Sequence, residues 1–192
     1  KSYAMIHEST DNPGSGCPGD GTHLLRELVA RDLPGSLFMT ICDPEVAEQA
    51  HQAGIGGKFK AFIGGKTAPI CGEPLEAEVE VLGLADGHFR YVTPQNFGAP
   101  AYIGPTARLR TGNVEIIVAS QRAQAFDDRA LWITGGSIED YKIVCIKSAG
   151  HFRAYFNDRA GCIIPCETPG LRSTNLKTYN YQKLRRPVYP LD

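Results

Sequence analysis

The stretch that decides the fold is Thr10-Asp11-Asn12-Pro13-Gly14-Ser15-Gly16-Cys17-Pro18-Gly19-Asp20-Gly21-Thr22, followed by His23–Arg31. Glycine and proline dominate the first part, whereas the second places leucines at the spacing of one helix face. The short apolar run Tyr3–Ile6 precedes both, so the sequence predicts a strand, a glycine-rich loop and a helix over Thr22–Arg31. Backbone N–H groups at such a helix start attract anions and carbonyl oxygens, so we expect function to be concentrated at this loop.

A second strand and helix follow directly. The apolar run Ser36–Cys42 predicts a buried strand, and Asp43-Pro44 predicts the start of a helix over Glu45–Ala53, with proline in its first turn. An order of strand, helix, strand and helix is typical of a parallel sheet with helices packed on it.

The middle of the chain, roughly residues 58–120, has a different pattern. Polar and apolar residues alternate along Leu75–Leu82, as in a half-exposed strand. Asp86-Gly87 predicts a hairpin with a returning strand over His88–Val92, and Thr111-Gly112-Asn113 predicts a second hairpin between the strands that flank it. We therefore expect an α/β fold, in which a partly parallel sheet is flanked by helices and carries an antiparallel insertion in the middle of the chain.

The last third predicts a strand over Tyr141–Ile146, a helix over Ala149–Arg159 with Ser148 as its cap, and a short strand over Cys162–Cys166. If the strands are parallel, their carboxyl ends share one edge of the sheet, where ligands bind. The polar segments expected at that edge are Asn12, Asp43, Gln121-Arg122 and Lys147–Arg153.

A lysine, a histidine and an arginine lie close together in the last of these segments. Lys147, His151 and Arg153 could bind a carboxylate or polarise a carbonyl. The alternative interpretation is a capped helix whose charges are simply solvated. The residues alone leave both interpretations open.

Composition excludes some classes of partner. The 192 residues include 20 Lys plus Arg and 21 Asp plus Glu, a net charge of −1, so charge gives no reason to expect nucleic acid or an anionic membrane as a partner. No apolar run approaches the roughly 20 residues of a membrane helix. The six cysteines are spread thinly, and we expect most to be reduced core residues of a cytoplasmic protein.

Two glycine motifs suggest nucleotide binding, but only weakly. Gly14–Gly19 formally matches G-x-G-x-x-G, yet Asp11 and Asp20 flank it and would repel a pyrophosphate. Gly64–Thr67 resembles the end of a phosphate-binding loop, but Ala68-Pro69 follows where a helix should begin. Nucleotide binding is therefore a lesser alternative, and the second motif predicts a tight turn.

Metal and thiol chemistry also have weak signals. The five histidines form no His-Glu-x-x-His motif and no pair at helical spacing, so we expect no complete zinc site within this chain. Cys17 lies in the glycine loop, but as a nucleophile it would need a base such as His151 in reach. We favour Cys17 as a small residue that fills a turn.

The order of short motifs along nearly the whole chain resembles the C-terminal domain of the microcystinase C (MlrC) family. In chain order these motifs are Asp11–Gly16, Gly19–Thr22, Leu24-Leu25-Arg26, Asp43-Pro44, Ala53-Gly54, Gly64–Thr67, Lys147-Ser148, His151–Arg153 and Arg186–Asp192. Ser15 and Cys17 depart from the glycine and alanine that are common in the family, which makes a nucleophilic Cys17 less expected.

The resemblance implies that residues 1–192 are a single C-terminal domain of a zinc metallopeptidase that hydrolyses short or linearised peptides, in a family named for microcystin degradation. It places the metal ligands in an N-terminal domain of roughly 300 residues. The chain begins Lys1-Ser2-Tyr3 without a methionine, and we expect that metallopeptidase domain to be missing from it. The expected partners are the N-terminal domain and a peptide substrate, and the isolated domain is expected to be inactive.

The resemblance also implies a role for this chain in shaping a substrate cleft. In that role Asn12, Gly14, Ser15 and Gly16 would make backbone hydrogen bonds to substrate. Lys147, His151 and Arg153 would contact a substrate carboxylate or a developing oxyanion. The open alternative is a non-catalytic binding or assembly module, in which the glycine loop is structural and the tail Arg185–Asp192 docks a partner domain or a second subunit of a homo-oligomer.

Overall fold

The computed structural model describes residues 3–192 of the chain. Its strands are β1 (Ala4–Glu8), β2 (Ser36–Cys42), β3 (Lys58–Ile63), β4 (Leu75–Ala85), β5 (His88–Arg90), β6 (Pro100–Tyr102), β7 (Thr106–Thr111), β8 (Val114–Ala119), β9 (Ile143–Lys147) and β10 (Cys162–Cys166). Its α-helices are α1 (His23–Arg31), α2 (Pro44–Ala53), α3 (Arg129–Trp132) and α4 (Arg153–Phe156). Within the described range, no helix combines the length and apolar character that crossing a bilayer requires.

Eight strands form one sheet in the order β10-β1-β9-β2-β8-β7-β4-β3. The first five run parallel to one another, whereas β7, β4 and β3 join by antiparallel pairing. Strand β8 belongs to both parts, because it pairs parallel with β2 and antiparallel with β7. The expected α/β fold with an antiparallel insertion over residues 58–120 is therefore confirmed.

Both faces of the sheet are covered, which explains the continuous apolar run of β2. On one face Phe38 packs with apolar residues of α1 and α2. On the other, Leu37 and Met39 pack with residues of α3 and α4. A strand buried on both faces needs apolar side chains at successive positions rather than at alternate ones.

The hairpin predicted at Asp86-Gly87 was wrong, because β4 and β5 do not pair with each other. The Asp86 side chain closes the turn by accepting a hydrogen bond of 2.9 Å from the His88 N–H. The returning segment is short, however: β5 leaves the main sheet and pairs with β6 as a separate two-stranded ribbon. The end of β4 pairs with β7 instead, so that Ala85 lies opposite Thr106.

The helix predicted over Ala149–Arg159 was wrong in its extent. Only α4 is α-helical, and the residues before it form a loop. Ser148 does not cap this helix, because its N–H donates to the Glu8 carbonyl at 3.0 Å and its hydroxyl contacts Gln124. Pairing with the end of β1 holds Ser148 at the edge of the sheet and leaves the chain to turn before α4 begins.

The topology places several loops on one edge of the sheet. Strands β1, β9, β2 and β8 are parallel neighbours, so their carboxyl ends lie side by side. The loops that leave these ends are the glycine loop (Thr10–Thr22), Lys147–Arg153, Asp43 at the start of α2, and the segment Ser120–Phe126. This edge is where ligands bind in sheets of this kind.

Candidate functional site

The side chain of Asp11, near the start of the glycine loop, fixes the conformation of the rest of the loop. One oxygen of this carboxylate accepts a hydrogen bond of 2.9 Å from the Gly19 N–H, and the other accepts one of 2.6 Å from the Gly21 N–H. The second oxygen also lies 3.0 Å from the Lys147 ammonium. A buried carboxylate therefore fixes the path of the loop through backbone donors.

Lys147 lies inside the protein and not at the surface of the site. Its ammonium is 2.7 Å from Glu8 and 3.0 Å from Asp11, and all three side chains are buried. Burial by itself would lower the pKa of Lys147, but the two carboxylates raise it, so the lysine stays charged. Lys147 thus joins the ends of β1 and β9 to the glycine loop, and any contribution to substrate binding is indirect.

Asn12 shapes the exposed turn of the glycine loop. Its side-chain oxygen accepts a hydrogen bond of 3.0 Å from the Gly14 N–H, and its amide nitrogen donates to the Ser15 hydroxyl at 3.1 Å. Asn12 is buried, whereas Gly14, Ser15 and Gly16 are exposed. The turn therefore exposes three residues, but their N–H groups donate within the loop: Gly14 to the Asn12 side chain, Ser15 to the Asn12 carbonyl and Gly16 to the Pro13 carbonyl.

The second loop carries the other predicted site residues. His151 and Arg153 are both exposed, and the Arg153 guanidinium lies 5.2 Å from the centre of the Phe152 ring. Beneath them, His7 donates from Nδ1 to the Ser148 carbonyl at 3.2 Å. A histidine and an arginine of this loop are thus available at the surface, while Phe152 is fully buried behind them.

The two loops meet through Gln124, a residue that the sequence analysis missed. Its side-chain nitrogen lies 3.2 Å from the Ser148 hydroxyl and 3.2 Å from His151 Nδ1. Its carboxamide lies against Gly14 so closely that a β-carbon there would overlap it. The rim (Asn12–Gly16, Gln124 and Ser148–Arg153) is therefore one continuous surface.

Arg122 adds a second link across the rim, since its guanidinium donates to the Gly16 carbonyl at 3.0 Å. The sequence points to Gln121-Arg122 as residues of this edge, because they follow a strand of the parallel part. The same rule extended by two residues would have reached Gln124. Nothing in the local pattern distinguishes Gln124 from any other polar loop residue.

A second layer of carboxylates lies behind the rim. Asp43 caps α2 by accepting from the Val46 N–H at 3.2 Å, and it also accepts from the Gly64 N–H at 2.8 Å. Lys66 reaches Asp43 at 3.0 Å, and its own N–H donates to Asp20 at 2.9 Å. The chain bends at Gly64–Thr67, where a tight turn was predicted, with positive φ angles at Gly64 and Gly65, and this segment fastens the antiparallel insertion to the glycine loop.

These contacts disfavour nucleotide binding at the glycine loop. A phosphate-binding loop needs free backbone N–H groups. Here the N–H groups of Gly19 and Gly21 are bound to Asp11, and the Thr22 N–H donates to the Cys71 carbonyl at 2.8 Å. Two buried carboxylates also lie under the loop, where they would repel a phosphate.

One group of side chains in residues 3–192 meets the distance requirement for holding a metal ion. Ligand atoms of Asp11, Asp20 and Cys71 lie within 4.8 Å of one another. Most of these carboxylate oxygens already have partners, however. Asp11 accepts from two N–H groups and pairs with Lys147, and one Asp20 oxygen accepts from the Lys66 and Thr67 N–H groups. The other Asp20 oxygen is buried without a hydrogen-bond partner in the described part of the chain.

The thiols also argue against metal or nucleophile chemistry here. Burial, together with the neighbouring Asp20 and Asp11, raises the pKa of Cys71 to about 12, which favours the thiol over the metal-binding thiolate. The Lys147 ammonium already supplies a positive charge beside Asp11, so this donor set does not fit zinc. Burial likewise raises the pKa of Cys17, whose sulfur lies 3.6 Å from the Thr10 carbonyl, as expected for a residue that fills a turn.

Known proteins are similar to this chain in sequence and in fold. Microcystinase C from Sphingomonas sp. is 29% identical over 188 residues, which cover 98% of this chain and 36% of that protein. The crystal structure of a proposed metallopeptidase from Mesorhizobium sp. BNC1 superimposes with a TM-score of 0.84 at 25% identity, covering 100% of this chain and 38% of that one. The chain thus spans little more than a third of the length of either relative.

The family of this chain follows from a match over most of its length. Residues 6–183 match the family described as the MlrC C-terminus. That range contains the glycine loop, Gln124 and the loop that carries His151 and Arg153. The chain therefore belongs to the MlrC family and corresponds to the C-terminal part of its members.

Proposed function

We propose that this chain is the C-terminal domain of an MlrC-type zinc metallopeptidase that hydrolyses short or linearised peptides. In this proposal residues 1–192 form one domain that walls the substrate cleft, and the N-terminal metallopeptidase domain holds the zinc. The name of Microcystinase C supports microcystin degradation as one activity of the family. A cytoplasmic location is part of the proposal, supported by the six cysteines, which are all free within residues 3–192.

The observation that carries the proposal is the rim. Two loops that lie more than 130 residues apart along the chain meet at the carboxyl edge of the parallel strands, joined by Gln124. One loop offers backbone groups and the other offers a histidine and an arginine, all exposed. Peptide recognition needs this combination, because a peptide presents backbone hydrogen-bonding groups together with a carboxylate or a polarised carbonyl.

The exposed residues of the rim have distinct roles in the proposal. Gly14, Ser15 and Gly16 bind the peptide through their backbone carbonyl oxygens, because their N–H groups donate within the turn, and Asn12 holds the turn in shape. His151 contacts the reacting carbonyl oxygen or a carboxylate, and Arg153 contacts a substrate carboxylate. Lys147 is buried and acts indirectly, by fixing the glycine loop through Asp11.

The alternative function is a non-catalytic binding or assembly module. The buried contacts of Asp11 and Lys147 favour it in one respect, because they show that much of the glycine loop is structural. In that case the exposed rim or the tail would dock another domain or a second copy, and loss of His151 would leave hydrolysis intact.

The test uses the full-length gene product and measures hydrolysis of linear peptides. Removing a donor to a developing oxyanion lowers kcat by roughly 10²–10³-fold, so we expect a fall of that order for His151→Ala. For Arg153→Ala we expect a raised KM for peptides with a free carboxylate near the scissile bond. Unchanged kcat/KM in both variants would contradict the proposal and favour the assembly module.

The matched control is Arg31→Ala. Arg31 is an exposed arginine in the last turn of α1 and pairs with Glu27. The chain passes from α1 into the amino end of β2, so Arg31 lies at the opposite edge of the sheet from the rim. We expect this variant to hydrolyse peptides like the wild type.

A further inference from the structure

His151 makes a hydrogen bond with only one of its ring nitrogens. Its Nδ1 lies 3.2 Å from the side-chain nitrogen of Gln124, whereas Nε2 has no hydrogen-bond partner among residues 3–192. The ring also packs at 5.7 Å from the ring of Phe126, two residues beyond Gln124. The segment after β8 therefore holds this exposed ring at two points.

The surroundings of the Gln124 carboxamide fix which way it faces. With its nitrogen toward the second loop, its two hydrogens meet the Ser148 hydroxyl and His151 Nδ1, both of which can accept. Its oxygen then faces the α-carbon of Gly14. The reversed orientation would turn both N–H hydrogens toward a C–H group and leave them without these acceptors.

Gly14 is required by this arrangement. A β-carbon at position 14 would overlap the Gln124 side-chain oxygen, although the backbone of Gly14 is not in the left-handed region. Any larger residue would therefore displace Gln124 from His151. The glycine loop and the histidine loop are coupled through this one carboxamide.

We infer that Gln124 is a positioning residue that holds His151 as the neutral tautomer with its proton on Nε2. A neutral imidazole whose Nδ1 accepts a hydrogen bond must carry its hydrogen on the other nitrogen. The rim thus offers an oriented N–H donor, suited to an acceptor oxygen such as a peptide carbonyl or carboxylate. This assignment deepens the proposed function and rests on it for the identity of that acceptor.

The inference excludes one role for His151. A ring that already carries its proton on Nε2 cannot take a proton there from a substrate or a water molecule. In the proposed hydrolysis His151 therefore donates a hydrogen bond to oxygen and does not serve as a general base. Gln124 contributes by orienting the ring and not by touching substrate.

The test is nitrogen NMR of the ¹⁵N-labelled chain above the pH at which its histidines titrate. Long-range ¹H–¹⁵N spectra distinguish the protonated from the bare nitrogen of each of the five imidazoles, and His151→Gln assigns the signals. We expect His151 to show a bare Nδ1 and a protonated Nε2. A protonated Nδ1 in the wild-type chain would overturn the inference without any variant.

Two substitutions at Gln124 separate positioning from simple packing. Gln124→Met keeps the length of the side chain but cannot donate, so His151 should become a mixture of tautomers. Gln124→Glu can only accept when ionised, so it should draw the proton to Nδ1 and reverse the tautomer. A purely structural role predicts the wild-type tautomer in both variants, and that result would overturn the inference.

Gly14→Ala provides an independent route to the same outcome. It should shift His151 toward a tautomer mixture without changing Gln124 itself. Gly150→Ala is the matched control, because nothing lies within 4 Å of a β-carbon there. If Gln124→Met does not fold, the wild-type spectrum and Gly14→Ala still decide.

Peptide hydrolysis by the full-length gene product distinguishes the positioning role of Gln124 from the proposed role of the rim in peptide cleavage. A loss of kcat/KM in Gln124→Met that follows the tautomer shift supports both proposals. If Gln124→Met gives the expected mixture of tautomers but hydrolyses peptides like the wild type, Gln124 positions His151, and His151 has no role in peptide cleavage.

Discussion

His7 is a buried residue that supports the rim through its contact with Ser148. A carbonyl oxygen can only accept, so the contact with Ser148 requires the proton of His7 to lie on Nδ1. Its Nε2 is buried and has no hydrogen-bond partner in the described residues. Burial lowers the pKa of His7 below its ordinary value of 6.5, and the nearby Arg153 lowers it further, while the Ser148 bond opposes the shift. The folded protein therefore keeps this histidine neutral.

A pH dependence of stability follows from this shift. Below pH 6.5 the unfolded chain protonates His7 more readily than the folded chain does, so acidification favours unfolding. We expect the wild type to lose more free energy of unfolding between about pH 7 and about pH 5 than His7→Asn, which can still donate to the Ser148 carbonyl. Urea unfolding at both pH values measures the difference, since all other groups titrate alike in the two proteins. Equal losses would contradict the assigned burial of His7.

At the scale of elements, Lys147 ties β1, β9 and the glycine loop together. Lys147→Met would leave Glu8 and Asp11 as buried carboxylates without their counter-ion. Breaking a buried pair in this way destabilises a protein by about 3–5 kcal/mol. We expect a loss of this size in the free energy of unfolding from urea titration, with the rim loops disordered first.

The matched control for this prediction is Lys60→Met on β3. Lys60 pairs with Glu76 at 2.6 Å, but both side chains are more than half exposed. An exposed pair is screened by water, so its removal should change stability far less than the loss of Lys147. Equal losses in the two variants would show that the buried cluster does not anchor the loop.

The sequence predicted those elements whose signals are local. The apolar run of β2 and the proline start of α2 were confirmed, because burial on both faces and capping leave clear residue patterns. The helix over Ala149–Arg159 was too long in the prediction. The apolar spacing of this segment favours a helix, but the Ser148 N–H pairs with the end of β1 and the chain forms a loop there. Pairings between distant segments override local propensity, and they leave no local signal.

The same limit applies to the site. The rule for parallel strands predicted which loops share an edge, and the structure places those loops together. It could not predict that Lys147 is buried or that Gln124 bridges Gly14 and His151. Those facts depend on contacts between residues 24 to 139 positions apart, and a loop pattern contains no information about them.

At the scale of the whole molecule, our proposal places the rim and the metal in different parts of the protein. The chain covers 36% of Microcystinase C and 38% of the metallopeptidase neighbour. In the one group of potential metal ligands in the described residues, Asp11 and one Asp20 oxygen are already bound by backbone N–H groups, and Asp11 is also bound by the Lys147 ammonium. In the proposal the rim forms one wall of the cleft, and the metal is held outside this chain.

Metal removal tests this division between the two parts. A metal that binds only the folded state raises stability according to its concentration and affinity. We therefore expect neither a chelator nor added zinc to change the unfolding midpoint of the 192-residue chain. The full-length gene product should lose peptide hydrolysis with the chelator and regain it with zinc. If zinc instead binds the chain in a one-to-one ratio, stabilises it, and loses both effects in Cys71→Ser, then the metal lies in this part, and the cluster beneath the glycine loop is its site.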